Sequence, residues 1–138
     1  MKTKNEMADW GLRSASYLMT LFIAVGIIFI GVRFILVPRA GAVGFGIPLS
    51  SIADLAFGRI KGIRDIFSGL ALLLLLFFKM RKATAYVFTA AIIVPATDCL
   101  LVYLNHGPAL SQLVHGITAF YMVITSFLLF WDTQKTTA

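Results

Sequence analysis

The chain has 138 residues, 59% of them hydrophobic and only 13% charged, with a mean hydropathy of +0.91. Soluble domains run nearer about 45–50% apolar and 25% charged, which excludes a soluble globular domain, a disordered tail and a nucleic-acid-binding module. The net charge of +6 therefore belongs to the flanks of membrane segments, where basic residues anchor helix ends and select their side.

These quantities describe one all-α integral membrane domain over residues 1–138. The first run without Asp, Glu, Lys or Arg covers 14–32 and continues past Arg33 to Val37. A helix crosses a hydrocarbon core with about 20 residues, so the run predicts helix one over 14–37. A cleaved leader ending at Ala40-Gly41-Ala42 is disfavoured. Its apolar part would exceed a signal-peptide core, and Arg33 and Arg39 precede the small residues.

Residues 38–59 are too long and too apolar for an ordinary loop. Gly41, Gly44 and Gly46 alternate with Val43, Phe45 and Ile47. Ser51 and Asp54 then match a capping box with aspartate in place of glutamate, opening a short helix with Ile52, Leu55 and Ala56 on one face. The stretch reads as a glycine-rich re-entrant or interfacial segment lying on the bundle. Irregular backbone at that depth needs protein or water around it.

The next uncharged run, 66–78, is short: about 20 Å at 1.5 Å per residue. To span about 30 Å the helix must begin near Ile60, which predicts helix two over 60–79 and puts Arg64 and Asp65 inside the membrane zone. Lys79-Met80-Arg81-Lys82 forms a basic link. Helix three comes next, over 83–104, bent by Pro95 one turn before Asp98. Asn105-His106-Gly107-Pro108 supplies a turn, and Pro108 suits the start of helix four over 109–131. Tyr103 and Trp131 fit the interfacial belt. The whole is a four-transmembrane-helix bundle. Lys2, Lys4, Arg13 and the basic link put both termini in the cytoplasm by the positive-inside rule. Arg39, Arg59 and Lys61 on the other side run against that rule unless they serve a site.

Ionisable groups inside a bilayer are costly and usually functional. Arg33, Arg64, Asp65, Asp98 and His115 come from four helices, yet all fall about 6–9 Å from one membrane face at 1.5 Å per residue. His115 shares its face with Ser111, Gln112, Thr118 and Ala119, Asp98 with Ala90, Ala91 and Val94, and Asp65 with Ser68 and Gly69. Small residues permit close helix packing, so these faces point inward. The expected site has Asp98 and His115 as acid and base, and Arg33, Arg39, Arg64, Asp65 and Gln112 on the substrate. Plainer roles compete with these. Arg33 also reads as a snorkelling interfacial residue, Arg64 and Asp65 as the start of helix two, Asp98 as the partner of Arg33 or Arg64, and His115 as a helix–helix hydrogen bond. Two histidines and Cys99 alone make no metal site, and no cofactor motif is present. Gly58 and Gly62 have G-x-x-x-G spacing but straddle Arg59 and Lys61, a weak dimerisation signal.

The pattern Pro38-Arg39…Gly44-Phe45-Gly46-Ile47-Pro48, Lys61-Gly62-Ile63-Arg64-Asp65…Gly69-Leu70, Asp98 and His115-Gly116 resembles a family of small four-helix membrane proteins known as a domain of unknown function. That family is similar in build to DoxX-like proteins. The resemblance implies four helices and a membrane location, and brings no substrate. The expected function is binding, with acid–base transformation, of a small lipophilic molecule. A proton-coupled carrier and an accessory membrane subunit are the alternatives. The partners expected are the lipid bilayer and a small lipophilic or anionic ligand, with no nucleic acid; a homo-oligomer is compatible with the sequence.

Overall fold

The computed structural model describes residues 10–135, so the expectation built on Lys2 and Lys4 lies outside the described residues. Among those residues the chain is helical without a strand: α1 (Ala15–Leu36), α2 (Pro38–Phe45), α3 (Ile52–Phe77), α4 (Arg81–Ala91), α5 (Ile93–Leu104) and α6 (Ala109–Lys135).

Three stretches are long and apolar enough to cross a membrane: Ala15–Leu36, Arg81–Leu104 and Ala109–Trp131. The four spans expected from sequence are thus reduced to three clear ones. α3 is the exception because its most apolar portion, 60–77, still holds Lys61, Arg64 and Asp65. The capping box forms: the Asp54 N–H donates to Ser51 Oγ at 3.1 Å and the Ser51 N–H to Asp54 Oδ2 at 2.8 Å. It does not open a separate short helix, however. With no proline between 52 and 77, the same helix runs on unbroken to Phe77.

The glycine-rich segment also departs from expectation. Its first part is the regular helix α2, started by Pro38, whose missing N–H costs nothing at that position. Only 46–51 is irregular. Helix three is divided at Ile92 into α4 and α5. Pro95 is the cause, since it offers no N–H to the Ala91 carbonyl and its ring crowds that oxygen. Ile92 instead donates to the Thr89 carbonyl at 3.2 Å.

α1 packs along α3, α5 along α6, and α4 and α1 both rest on α6. The α1–α3 seam depends on glycine. A Cβ on Gly62 would stand 2.6 Å from the Gly31 carbonyl oxygen, and one on Gly69 2.6 Å from that of Ala24. Between helices in lipid, such close backbone approach supplies the van der Waals attraction that the hydrophobic effect no longer provides. Gly58 faces Leu49 and Pro38, so the Gly58–Gly62 spacing serves packing within the chain.

The apolar core lies at one end, where the start of α1, the end of α3, the start of α4 and the second half of α6 meet. It comprises Trp10, Ala24, Leu72, Leu76, Ala85, Phe88, Met122 and Leu129. Trp10 closes it: its Nε1–H donates to Ser16 Oγ at 3.0 Å and its ring meets Tyr17 edge-on at 5.2 Å. The hydroxyls here are tied to backbone. Thr20 donates to the Ser16 carbonyl at 2.8 Å, Thr84 to Met80 at 3.0 Å and Thr125 to Tyr121 at 2.9 Å. Thr89 and Ser126 join α4 to α6 through their hydroxyls.

Candidate functional site

The opposite end gathers charge. On α3, Lys61 and Asp65 are one turn apart, the spacing at which helical side chains meet, and Lys61 Nζ lies 2.6 Å from Asp65 Oδ2. Asp65 is buried. The Lys61 ammonium also stands 4.9 Å from the ring centre of Phe34 and 5.1 Å from that of Phe45, a cation–π arrangement that partly replaces lost hydration.

Phe45 is set in this place by its neighbour Gly46, which ends α2 with a left-handed φ of 107°, a conformation that glycine adopts without strain. A Cβ on Gly46 would also meet Ser111 Cβ at 2.7 Å, so the end of α2 presses directly on the start of α6. The Phe45 ring meets that of His115 at 4.6 Å, and the Phe45 carbonyl oxygen is 3.0 Å from His115 Nε2. A carbonyl only accepts, so Nε2 carries the hydrogen and Nδ1 is left as the acceptor nitrogen of the neutral ring.

Asp98, on α5, is partly buried. The ionisable groups near enough to act on it are Lys61, His115 and Asp65. Its carboxylate has no hydrogen bond or ion pair to the described residues, and among them no fully buried side-chain oxygen or nitrogen lacks a partner. The Asp98 oxygens are therefore reachable from outside. α3 packs on α1, α2 and α4 but has little backbone contact with α5 or α6. Asp98 and the Lys61–Asp65 pair thus stand on helices that make little direct contact, with Phe45 lying between Lys61 and His115.

Of the residues singled out by sequence, the structure brings together Asp65, Asp98 and His115. The others lie elsewhere. Arg33 is exposed, and its Nη2 donates to the Ala40 carbonyl at 3.2 Å, clamping α1 to α2. Arg39 and Arg64 are exposed, and no arginine is among the charges acting on Asp98. Gln112 spends its Nε2 on the Gly107 carbonyl at 2.8 Å, while its backbone carbonyl accepts from the Cys99 thiol at 3.3 Å. Gln112 thereby fastens the α5–α6 turn, and it borders a shallow apolar groove with Leu113, Gly116, Ile117 and Phe120. Among the described residues no three His, Cys, Asp or Glu are grouped to hold a metal ion.

Sequence reasoning left Phe34 and Phe45 out of the site and named Lys61 only as a charge that could serve one. The four-residue spacing from Lys61 to Asp65 was a usable signal. Nothing local marks Phe45, whose position exists only once α2 folds back over α3 and α6.

Comparison with the curated proteins and with the solved structures returned no match. One protein family, described as Domain of unknown function (DUF4267), matches residues 24–129. That span begins inside α1, ends inside α6 and contains every residue of the charged cluster. The chain therefore belongs to this family of domains of unknown function, DUF4267.

Proposed function

We propose that this protein spans the membrane four times and binds a small lipophilic molecule at the Lys61–Asp65–Asp98–His115 cluster, with Asp98 and His115 as its acid–base pair. The observation that carries the reading is the Asp98 carboxylate. It is partly buried, has no partner among the described residues, and stands on α5, which makes little backbone contact with α3. A carboxylate in apolar surroundings is costly unless something matches it.

The fourth span is α3. Phe57, Ile60, Phe67, Leu70, Leu74 and Phe77 are all exposed and recur along one side of it, while Asp65 is turned inward and holds Lys61. A helix buried in protein would not present such a stripe outward; lipid suits it. Both termini then lie on the cytoplasmic side and the charged cluster near the opposite face.

Binding from one face fits better than a polar path across the membrane. The far half is filled by Leu76, Phe88 and Leu129, with Thr20, Thr84 and Thr125 bonded to their own helices. A purely structural cluster would need only the Lys61–Asp65 pair and leaves Asp98 without a purpose.

The test is mass spectrometry of small molecules that co-purify with the protein in nanodiscs, for wild type, Asp98→Asn and His115→Ala. A discrete molecule carried by wild type and lost from both folded variants supports the reading. Bulk lipid alone in all of them sinks it.

A further inference from the structure

The hydrogen-bonding atoms left over at the cluster say what the ligand's head must be. Several of the donors are engaged. Lys61 is matched by Asp65 and lies against the Phe34 and Phe45 rings. The His115 Nε2–H is held by the Phe45 carbonyl. The Cys99 thiol and the Thr118 hydroxyl donate to the carbonyls of Gln112 and Val114, and the Gln112 amide to Gly107. Arg33 is turned to Ala40. Beside the Lys61 hydrogens that Asp65 does not take, the unspent atoms are acceptors: both Asp98 oxygens, the second oxygen of Asp65 and the imidazole Nδ1. Charge points the same way, because Lys61 offsets one of two carboxylates and leaves the cluster one negative charge in excess.

From this inventory we propose that the ligand is a lipophilic amine whose protonated primary ammonium sits against Asp98. An ammonium offers several hydrogens and no acceptor, so it complements these atoms, and it supplies the missing positive charge. A carboxylate or phosphate head would face Asp98 and Asp65 as like charges, with only the already paired Lys61 to offset it. The anionic ligand that the arginines suggest from sequence is accordingly disfavoured, since those side chains do not turn to Asp98. The inference rests on the binding reading above and specifies its ligand.

The experiment presents the full chain, in phosphatidylcholine nanodiscs, with dodecylammonium, dodecanol and dodecanoate in competition, and reads retained ligand by native mass spectrometry. Wild type should retain dodecylammonium over the other two by about tenfold, roughly 1.4 kcal/mol, and Asp98→Asn should lose that preference. Should Asp98→Asn fail to fold, the ranking by wild type decides, with Asp98→Glu expected to keep it. Retention of dodecanol or dodecanoate as well as or better than the amine, dependent on Asp98, overturns the amine and leaves the binding site standing. No saturable retention of any of the three by folded wild type overturns both.

Discussion

The two ends of this bundle handle polar atoms in opposite ways. At the Trp10 end the buried ones are hydroxyls, those of Thr20, Thr84 and Thr125 returned to a carbonyl one turn back, and a continuous apolar core closes around Phe88, Leu76 and Leu129. At the other end they are charges, held by one ion pair and two aromatic rings, with a carboxylate left over. The helices run through both regions, yet only the first is packed on all sides. α3 leans mainly on α1 and makes little contact with α5 or α6. On the function proposed above, stability and chemistry fall to different ends of the same helices. The packed end holds the helices together, so the charged end can keep an unmatched group.

The most severe way to break this division is to force α1 and α3 apart. In Gly62→Leu the new Cβ would collide with the Gly31 carbonyl, which is backbone and cannot swing aside. Overpacking typically costs about 1–3 kcal/mol, and here the obstacle is a rigid helix. The folded fraction in detergent should collapse, as read by gel filtration and thermal unfolding. Phe88→Ala comes next. It opens a cavity in the fully buried core and should cost about 3 kcal/mol. If the ends are separate, ligand retention by the remaining folded protein is unchanged.

A finer contrast lies within the charged end. Asp65→Asn removes the partner of a partly exposed Lys61 and should lower stability by about 1–2 kcal/mol, discounted from a fully buried pair for solvent access. Asp98→Asn removes no hydrogen bond to a described residue and should move stability by less than about 0.5 kcal/mol, while ligand retention is lost. Thermal unfolding and native mass spectrometry on the same samples separate the two. Equal destabilisation by both would make the cluster a packing device.

How much of this was legible in the sequence depends on the range of the forces involved. Uncharged runs gave the extents of α1 and α6 to within a few residues, and the Ser51–Asp54 cap was readable because both partners lie within one turn. The convergence of Asp65, Asp98 and His115 came from counting depth along each helix. Arg33 misled the same count: it sits at the right level, but direction around the helix sends it to Ala40. α2 was misread because three glycines suggest irregular backbone, while Pro38 and the aliphatic residues between them suffice for a short helix against α1 and α3. The Trp10 plug and the Phe45–His115 contact join residues far apart in sequence, which no local pattern encodes.

The smallest expected effect tests whether the charged end depends on its surface cap. Asp54 lies ahead of Phe57, where the exposed apolar stripe of α3 begins. Its carboxylate accepts from the N–H groups of Ser51 and Ser50 and from the Ser50 hydroxyl, and the Ser51 backbone bond chiefly holds its pKa below the ordinary carboxylate value. A depressed folded-state pKa means that the cap contributes fully above the ordinary carboxylate range and is lost as pH falls through the lowered value. Amide exchange between about pH 7 and pH 3, spanning the carboxylate range, should therefore show fraying at 50–55 on acidification after correction for intrinsic exchange rates. Asp54→Asn should remove that dependence. Because Gly62 and Gly69 are locked against α1 by backbone contacts that carry no charge, protection at 62–69 should not follow the cap. If it did, the placement of Asp65 opposite Asp98 would rest on the surface turn and not on the α1–α3 seam, and the separation of the two ends would fail at its own boundary.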